Sequence, residues 1–279
     1  MTGNRGNGWF APWPPAREPA GFDTGVAHPA RVYDYWLGGK DNFAADREAA
    51  ERVAAARPTV RRDVRANRAF LRRAVAWLAG EAGLRQFLDI GTGLPTSPNV
   101  HEVVQDITPA ARIIYVDNDP IVLAHARALL TSTAAGATAY IDADLCGPGK
   151  ILQEAARILD FSQPVAVLLV GILHLISDDA DPYAIVAQLM EAVPPGSYLV
   201  LTHPASDVDA EVAAEGARRY NQWVATPQTR RSFTEVSSFL SGLDVVEPGV
   251  VQCHRWHPGP GVAATEFEVS AWAGVGRKR

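Results

Sequence analysis

Sulfur is scarce in this sequence. Its two cysteines, Cys146 and Cys253, stand far apart and have no Cys-x-x-Cys or Cys/His ligand spacing around them, which argues against a disulfide scaffold and a zinc site. No apolar run reaches the roughly 18 residues that a membrane-spanning helix needs. The start, MTGNRGNGWFAPWPP, lacks the continuous apolar core of an export signal, so a cytoplasmic protein without a membrane partner is expected. Positive charge is not in surplus: 26 Lys and Arg against 31 Asp and Glu leave a net charge of -5, against a dedicated nucleic-acid binder. No repeat at solenoid periods is present. What remains is a chain of 279 residues, 47% hydrophobic, enough for one large α/β core with additions.

Residues 1–27 are rich in Gly, Pro and Asn without apolar periodicity and read as a mobile or extended arm, with Trp9, Phe10 and Trp13 favouring partial docking. Asp41 to Pro58 is alanine-rich and closed by proline, which predicts a helix. A second helix is expected from Thr59 to Leu78, where Val60, Val64, Leu71, Val75 and Leu78 recur at helical spacing with Asn67 on the same inward stripe. Arg57, Arg61, Arg62, Arg65, Arg68, Arg72 and Arg73 flank that stripe. They form either an anion-binding patch or a solvated helix face, and Asp63 with the acidic remainder of the chain favours the second.

After Gly83 short apolar runs alternate with helical stretches. QFLDI, RIIYVD, TAYIDAD, PVAVLLVGIL, SYLVLTH, LDVVEPGVV and FEVSAWAGVG are the predicted strands. Helices are expected near 99–107, 120–130, 150–159, 182–193 and 232–240. This alternation predicts a parallel sheet covered on both faces, and the last two strands an antiparallel edge hairpin, with 252–263 an irregular connection.

The sharpest local signal is Phe87-Leu88-Asp89-Ile90-Gly91-Thr92-Gly93-Leu94-Pro95-Thr96, an apolar strand running into Gly-x-Gly where the backbone can turn tightly against a ligand. A dinucleotide loop would carry a third glycine where Thr96 stands, so a nicotinamide cofactor is disfavoured. Asp117, closing the next strand, is placed to accept the two hydroxyls of a ribose. Asp119, before Pro120, reads instead as a helix cap. At the end of the third strand Asp144, in preference to Asp142, is placed to accept an exocyclic adenine amine.

From Gln86 to Leu145 the chain resembles class I S-adenosylmethionine-dependent methyltransferases. Asp89, Gly91 and Gly93 match their first motif, Asp117 their ribose-binding acid and Asp144 their adenine-contacting acid. His28 to Phe43 (HPARVYDYWLGGKDNF), Ala66 to Leu71 and Asp89 to Val100 are similar to the actinobacterial S-adenosyl methyltransferase family, a likeness that extends over nearly all of 28–279. It implies a Rossmann-like, seven-stranded, mostly parallel sheet of order 3-2-1-4-5-7-6, an N-terminal helical extension over 28–82, a cofactor-binding domain over 83–279, and S-adenosylmethionine as cofactor. Thr92, Asn118 and Leu145 complete the candidate cofactor set beside their neighbours.

Tyr33, Tyr35 and Trp36 with Gly38, Gly39, Lys40 and Asn42 combine aromatic walls, a permissive turn and polar groups. That composition suits a lid, with Tyr33, Gly39, Lys40 and Asn42 toward the cofactor. The alternative is a helix packed through Val32, Tyr35 and Trp36 and ended by the glycines. Arg68 could meet a methionine carboxylate, with Asn67 beside it, or the pair could be a core asparagine and a surface arginine.

His174, in the apolar-His turn after the fourth strand, is the candidate base or acceptor contact, with a structural histidine as the alternative. His203 stands similarly after the fifth strand. Ser177 to Pro182 (SDDADP) reads as a loop capped by Asp181, and no metal is assigned. There is neither an Asn/Asp-Pro-Pro-aromatic motif after the fourth strand nor a Pro-Cys nucleophile. These absences leave a small molecule as the expected acceptor. A non-catalytic S-adenosylmethionine-binding regulator on the same fold is the alternative.

Overall fold

The helical periodicity of the first third of the chain is realised as α1 (Pro29–Leu37), α2 (Ala44–Ala56) and α3 (Val60–Gly80), in a computed structural model that describes residues 23–129, 132–258 and 267–279. Most of the expected arm, 1–22, lies outside the described residues. Its end is docked: Ala27 bridges Val224, and the Val26 carbonyl accepts the Arg31 guanidinium at 2.6 Å. α1 has Pro29 at its first position and stops at Gly38, whose φ of 90° is open to glycine without strain. Val32 and Trp36 are buried, so the packed-helix reading describes this segment.

The stripe predicted for α3 is buried from Val60 to Leu78, Asn67 included. Its arginines form no single patch. Arg57 and Arg73 turn into the protein, the latter onto the Cys253 and Trp256 carbonyls at 2.8 and 2.9 Å, while Arg65 and Arg72 stay in solvent.

The rest of the chain runs β1 (Gln86–Ile90), α4 (Val100–Ile107), β2 (Arg112–Asp117), α5 (Pro120–Leu129), β3 (Ala137–Asp142), α6 (Pro148–Ala155) and β4 (Ala166–Val170). It continues with α7 (Pro182–Ala192), β5 (Tyr198–Pro204), α8 (Ala210–Trp223), α9 (Phe233–Ser238), β6 (Asp244–Val245), β7 (Val251–Gln252) and β8 (Ala271–Arg277). The sheet order is β3-β2-β1-β4-β5-β8-β6, with β1 to β5 parallel, β8 antiparallel, and β7 also paired to β8. This is the expected order with its sixth strand in two pieces, so that eight strands are described instead of seven. LDVVEPGVV does not run as one strand, because Pro248 has no N–H to give a ladder and Gly249, at φ 89°, closes a turn onto the Val246 carbonyl at 2.9 Å.

Side chains alternate across the sheet. Leu88, Ile90, Val167, Leu169, Leu199 and Leu201 pack beneath α6, α7 and α9, while Phe87, Ile113, Leu168, Val200 and Val275 pack against α3, α4 and Trp256. A third core joins Val32 and Trp36 of α1, Val53 of α2, Val60 and Val64 of α3, and Tyr220 and Val224 from α8 and its end. α8 lies outside the helices expected from the sequence. Its inward stripe, Ala213, Gly216 and Tyr220, is mostly small residues, a weak apolar signal, and Gly216 is small because the Arg57 side chain would lie 3.3 Å from a Cβ there. The N-terminal extension therefore shares its core with an element from the 83–279 region, and together they cover the carboxyl ends of the strands.

Candidate active site

The strand ends and this helical cover line a half-open cavity of about 320 Å³. At its floor the chain leaves β1 through Gly91, at φ 74°, with its N–H held by the Val116 carbonyl at 2.8 Å; a Cβ there would stand 2.5 Å from the Ile172 side chain. Gly93, at φ 63°, faces open space and donates its N–H to Asp117 Oδ2 at 2.9 Å. The other oxygen of Asp117 accepts the Asp119 N–H at 2.9 Å. One carboxylate thus ties the loop after β1 to the loop after β2.

Asp119 caps α5, accepting the Ile121 N–H at 2.8 Å on Oδ1, and its Oδ2 lies 2.9 Å from His28 Nδ1, which anchors the start of α1. Asp144 accepts the Cys146 N–H at 2.7 Å and the Asn118 amide at 2.9 Å. Burial works against its ionisation, but those two donors outweigh it and hold the carboxyl below the usual range. Asp142, the residue passed over, is exposed and outside the cavity.

Asp89 and Asp117 line the cavity with different fates. Burial pushes the Asp89 carboxyl up to about 7, Asp117 adds to this and Arg68 opposes it. No hydrogen bond from the described residues reaches it. Burial also raises Asp117, against the two backbone N–H groups it accepts.

Arg68 gives Nη2 to the Thr96 and Pro98 carbonyls, and its Nε is buried without a partner. Asn67 finds the partner its inward position requires in Tyr33: its amide donates to the Tyr33 hydroxyl at 2.9 Å, which donates to the Val64 carbonyl at 3.2 Å. Burial pushes the Tyr33 phenol up to about 12, and Asn67 Oδ1 is left unpartnered.

The cavity brings together Tyr33, Arg68, Asp89, Gly91, Thr92, Gly93, Asp117, Asn118, Asp144, Leu145 and His174. It does not bring in Gly39, Lys40 or Asn42. Lys40 is exposed, and the turn of the other two is folded onto Asp34: Asn42 donates to Asp34 Oδ2 at 2.8 Å, and a Cβ on Gly39 would overlap the same carboxylate. Gly39 serves this contact, Gly38 ends α1, and the inner face of α1, carrying Tyr33 and Asp34, lines the cavity.

His174 sits in a 3-10 turn (Leu173–Leu175) after β4, its ring on the cavity and its Nδ1 buried without a partner. Burial, with Arg230 and Arg231 nearby, pushes its pKa down to about 3. Past it the cavity reaches Thr202, Tyr220 and Arg230, none of them among the expected site residues. Arg230 and Tyr220 lie beyond any motif, in the stretch around the unforeseen α8, while Thr202 was hidden beside His203 in LVLTH. In the SDDADP loop Asp181 caps α7 through the Ala184 N–H at 3.1 Å, and Asp178 pairs with Arg231 at 2.6 Å. Among the described residues no group of three His, Cys, Asp or Glu side chains is placed to hold a metal, and no helix is long and apolar enough to cross a membrane.

The family model described as S-adenosyl methyltransferase matches residues 15–279. A DUF574 family protein from Streptomyces avermitilis is 44% identical, superposes with a TM-score of 0.89 and shares 92% of this chain and 99% of its own. A candidate methyltransferase from Thermobifida fusca is 40% identical, with a TM-score of 0.85 over 92% of this chain and 97% of its own. No curated protein matches the sequence.

Proposed function

Because the chain belongs to the S-adenosyl methyltransferase family, with S-adenosylmethionine as its cofactor, we propose that the cavity over the strand ends transfers a methyl group to a small-molecule acceptor. The observation that carries this reading is the continuity of one cavity from the glycine loop, past His174, to a second polar end beneath α1 and α8.

The donor set suits each part of the cofactor. Asp117 presents a carboxylate at the end of β2 for the ribose, and Asp144 does so at the end of β3 for adenine. Gly93 leaves open the space a Cβ would occupy. The carboxylate of Asp89, free of hydrogen bonds from the described residues, suits the ammonium, and the spare N–H of Arg68 suits the carboxylate. When bound, S-adenosylmethionine supplies an electrophilic methyl group on a sulfonium.

The protein's own share is alignment and exclusion of water. α1 and α3 roof the cavity, and the His174 turn positions the acceptor. A histidine with a pKa near 3 is a poor store for a proton, so His174 acts as a neutral hydrogen-bonding contact and the acceptor must be nucleophilic without a strong base. Residues 28–82 act as the cover and 83–279 as the cofactor-binding body.

The test is to incubate the full chain and cofactor with a metabolite pool and to follow S-adenosylhomocysteine and 14-dalton mass shifts together, with calorimetry for S-adenosylmethionine against NAD. Product formation only with an added acceptor supports the reading. Binding without turnover across the pool defeats it.

A further inference from the structure

The end of the cavity beyond His174 is lined by none of the residues from the three strand-end motifs, and its charges do not balance. Arg57 is spent on Asp63: they form a direct ion pair, and the same carboxylate oxygen also accepts the Thr59 hydroxyl at 2.9 Å. Asp63 Oδ1 is buried with no hydrogen bond, and Arg62 Nε stands 3.8 Å from it. Arg231, beside the cavity, is tied to Asp178, His203 and two carbonyls.

Arg230 is different. Its Nε donates to the Ala205 carbonyl at 2.9 Å and its Nη2 to Ser270 Oγ at 3.0 Å, both neutral, and Nη1 has no partner among the described residues. Burial, with Arg57 adding and the nearby Asp63 carboxylate opposing, lowers its pKa to about 9, which leaves it a cation at neutral pH with no carboxylate in direct ion-pair contact among the described residues. A half-buried guanidinium without a directly paired anion carries a desolvation cost, and an anionic ligand relieves it.

A second, independent sign of a ligand lies around it. Thr202 Oγ1 is buried without a partner on the cavity wall, and the Tyr220 hydroxyl, also on the wall, bonds to no described residue. Trp36, Val53 and Val60 give the wall an apolar face, with Thr226 and Gln228 as further polar groups.

We propose that this end is the acceptor subsite and that it selects a small carboxylic acid with an apolar body, the carboxylate seated on Arg230 and the body against Trp36 and Tyr220. The proposal rests on the methyl-transfer reading of the cavity. One cation is left over, which matches a monoanion. A phosphate monoester carries roughly -1.5 to -2 at neutral pH and would keep close to one charge unmatched.

The test uses the full chain saturated with S-adenosylhomocysteine, whose own binding is measured first by calorimetry so that failure of the cofactor reading shows separately. Phenylacetate, 3-phenylpropanoate, indole-3-acetate and hexanoate are then titrated against their primary amides and against phenyl phosphate. The expected result is at least tenfold tighter binding of acids than of amides. That preference should collapse to within twofold in Arg230→Gln and survive in Arg230→Lys, with S-adenosylhomocysteine affinity held within threefold in both. Acids that bind no better than amides overturn the proposal, as do tighter binding of phenyl phosphate or an undiminished preference in Arg230→Gln. Should Arg230→Gln fail to fold, the comparison of acids with amides on the unaltered chain decides alone.

Discussion

The rings of His174 and His203 meet edge to face, with centroids 6.1 Å apart and planes at 79°, and they are held in opposite ways. His203 is fixed at both nitrogens: Nδ1 faces the Pro204 carbonyl at 3.0 Å and so carries the proton, while Nε2 accepts from Arg231 at 2.9 Å. His174 has no partner at Nδ1. One ring is a strut for a buried arginine, and the other is free to meet whatever enters the cavity.

His203→Ala should therefore destabilise the protein by about 1–3 kcal/mol, since it leaves the Arg231 guanidinium short of an acceptor. His174→Ala should cost less stability and lower turnover by about 10- to 100-fold through lost alignment. Thermal melts and single-turnover methyl transfer separate the two, and the reverse ranking would exchange their roles. Burial holds both imidazoles neutral in the fold, while the unfolded chain gains protons below its ordinary value near 6.5. Their contribution to stability is present above that pH and is lost progressively below it. Their NMR shifts should accordingly stay flat from pH 8 to 6.

Asp117→Ala should weaken S-adenosylhomocysteine binding by about 1–3 kcal/mol, from lost hydrogen bonds to the ribose. Part of that loss comes through the loop, because the same carboxylate holds the Gly93 and Asp119 N–H groups. Asp119→Ala should lower the melting temperature with a smaller effect on affinity, since it caps α5 and anchors His28. Calorimetry and melting curves on both variants decide it, and interchanged outcomes would reverse the assignment.

The parts of this molecule legible in the sequence are those that one strand and its following turn determine alone. Asp117, Asp119 and Asp144 end or follow apolar runs, so pattern and turn chemistry place them together. Gly39 and Asn42 could not be placed this way. Their partner, Asp34, lies on the preceding helix, and only the packed turn shows that it takes them away from the cavity. Arg230 and Tyr220 were illegible for another reason. Tyr220 joins the site through α8, whose stripe of alanine and glycine carries little apolar periodicity and packs on Arg57 at the end of α2, and Arg230 joins it through Ala205 and Ser270, which are distant in sequence. Local pattern reads one end of the cavity, and long-range packing makes the other.

The cover over the cofactor should show in hydrogen exchange. S-adenosylhomocysteine should slow exchange in α1 around Tyr33 and Asp34 together with Gly91 and Asp117, and leave Lys40 little changed because it stands in solvent. Deleting residues 1–20 should leave affinity nearly unchanged. Deleting 1–43 should abolish binding or the fold, since it removes Trp36 and Val32 from the core beneath α8. Exchange at Tyr33 that ignores the ligand would rule out the covering role.

Asp89 should tie cofactor binding to pH. Burial, reinforced by Asp117, raises its carboxyl to about 7 against an ordinary value of 3.8, so near neutral pH the free protein holds this group partly protonated. A raised acid stabilises the fold fully below its unfolded pKa, and that contribution is lost as pH rises through 7. Asp89→Asn, which cannot ionise, should consequently match the native chain near pH 3, begin to exceed it as pH rises past 3.8, and exceed it at pH 8 by roughly 1–4 kcal/mol. A ligand ammonium needs the ionised form. Affinity for S-adenosylhomocysteine should thus climb between pH 5.5 and 7.5 by no more than tenfold per unit and then level, and in Asp89→Asn it should be weaker and flat. The two effects oppose each other, because the substitution that strengthens the empty protein must weaken the complex. If Asp89→Asn bound the cofactor as well as the native chain did, or shared its pH dependence, the ammonium would have to be held elsewhere.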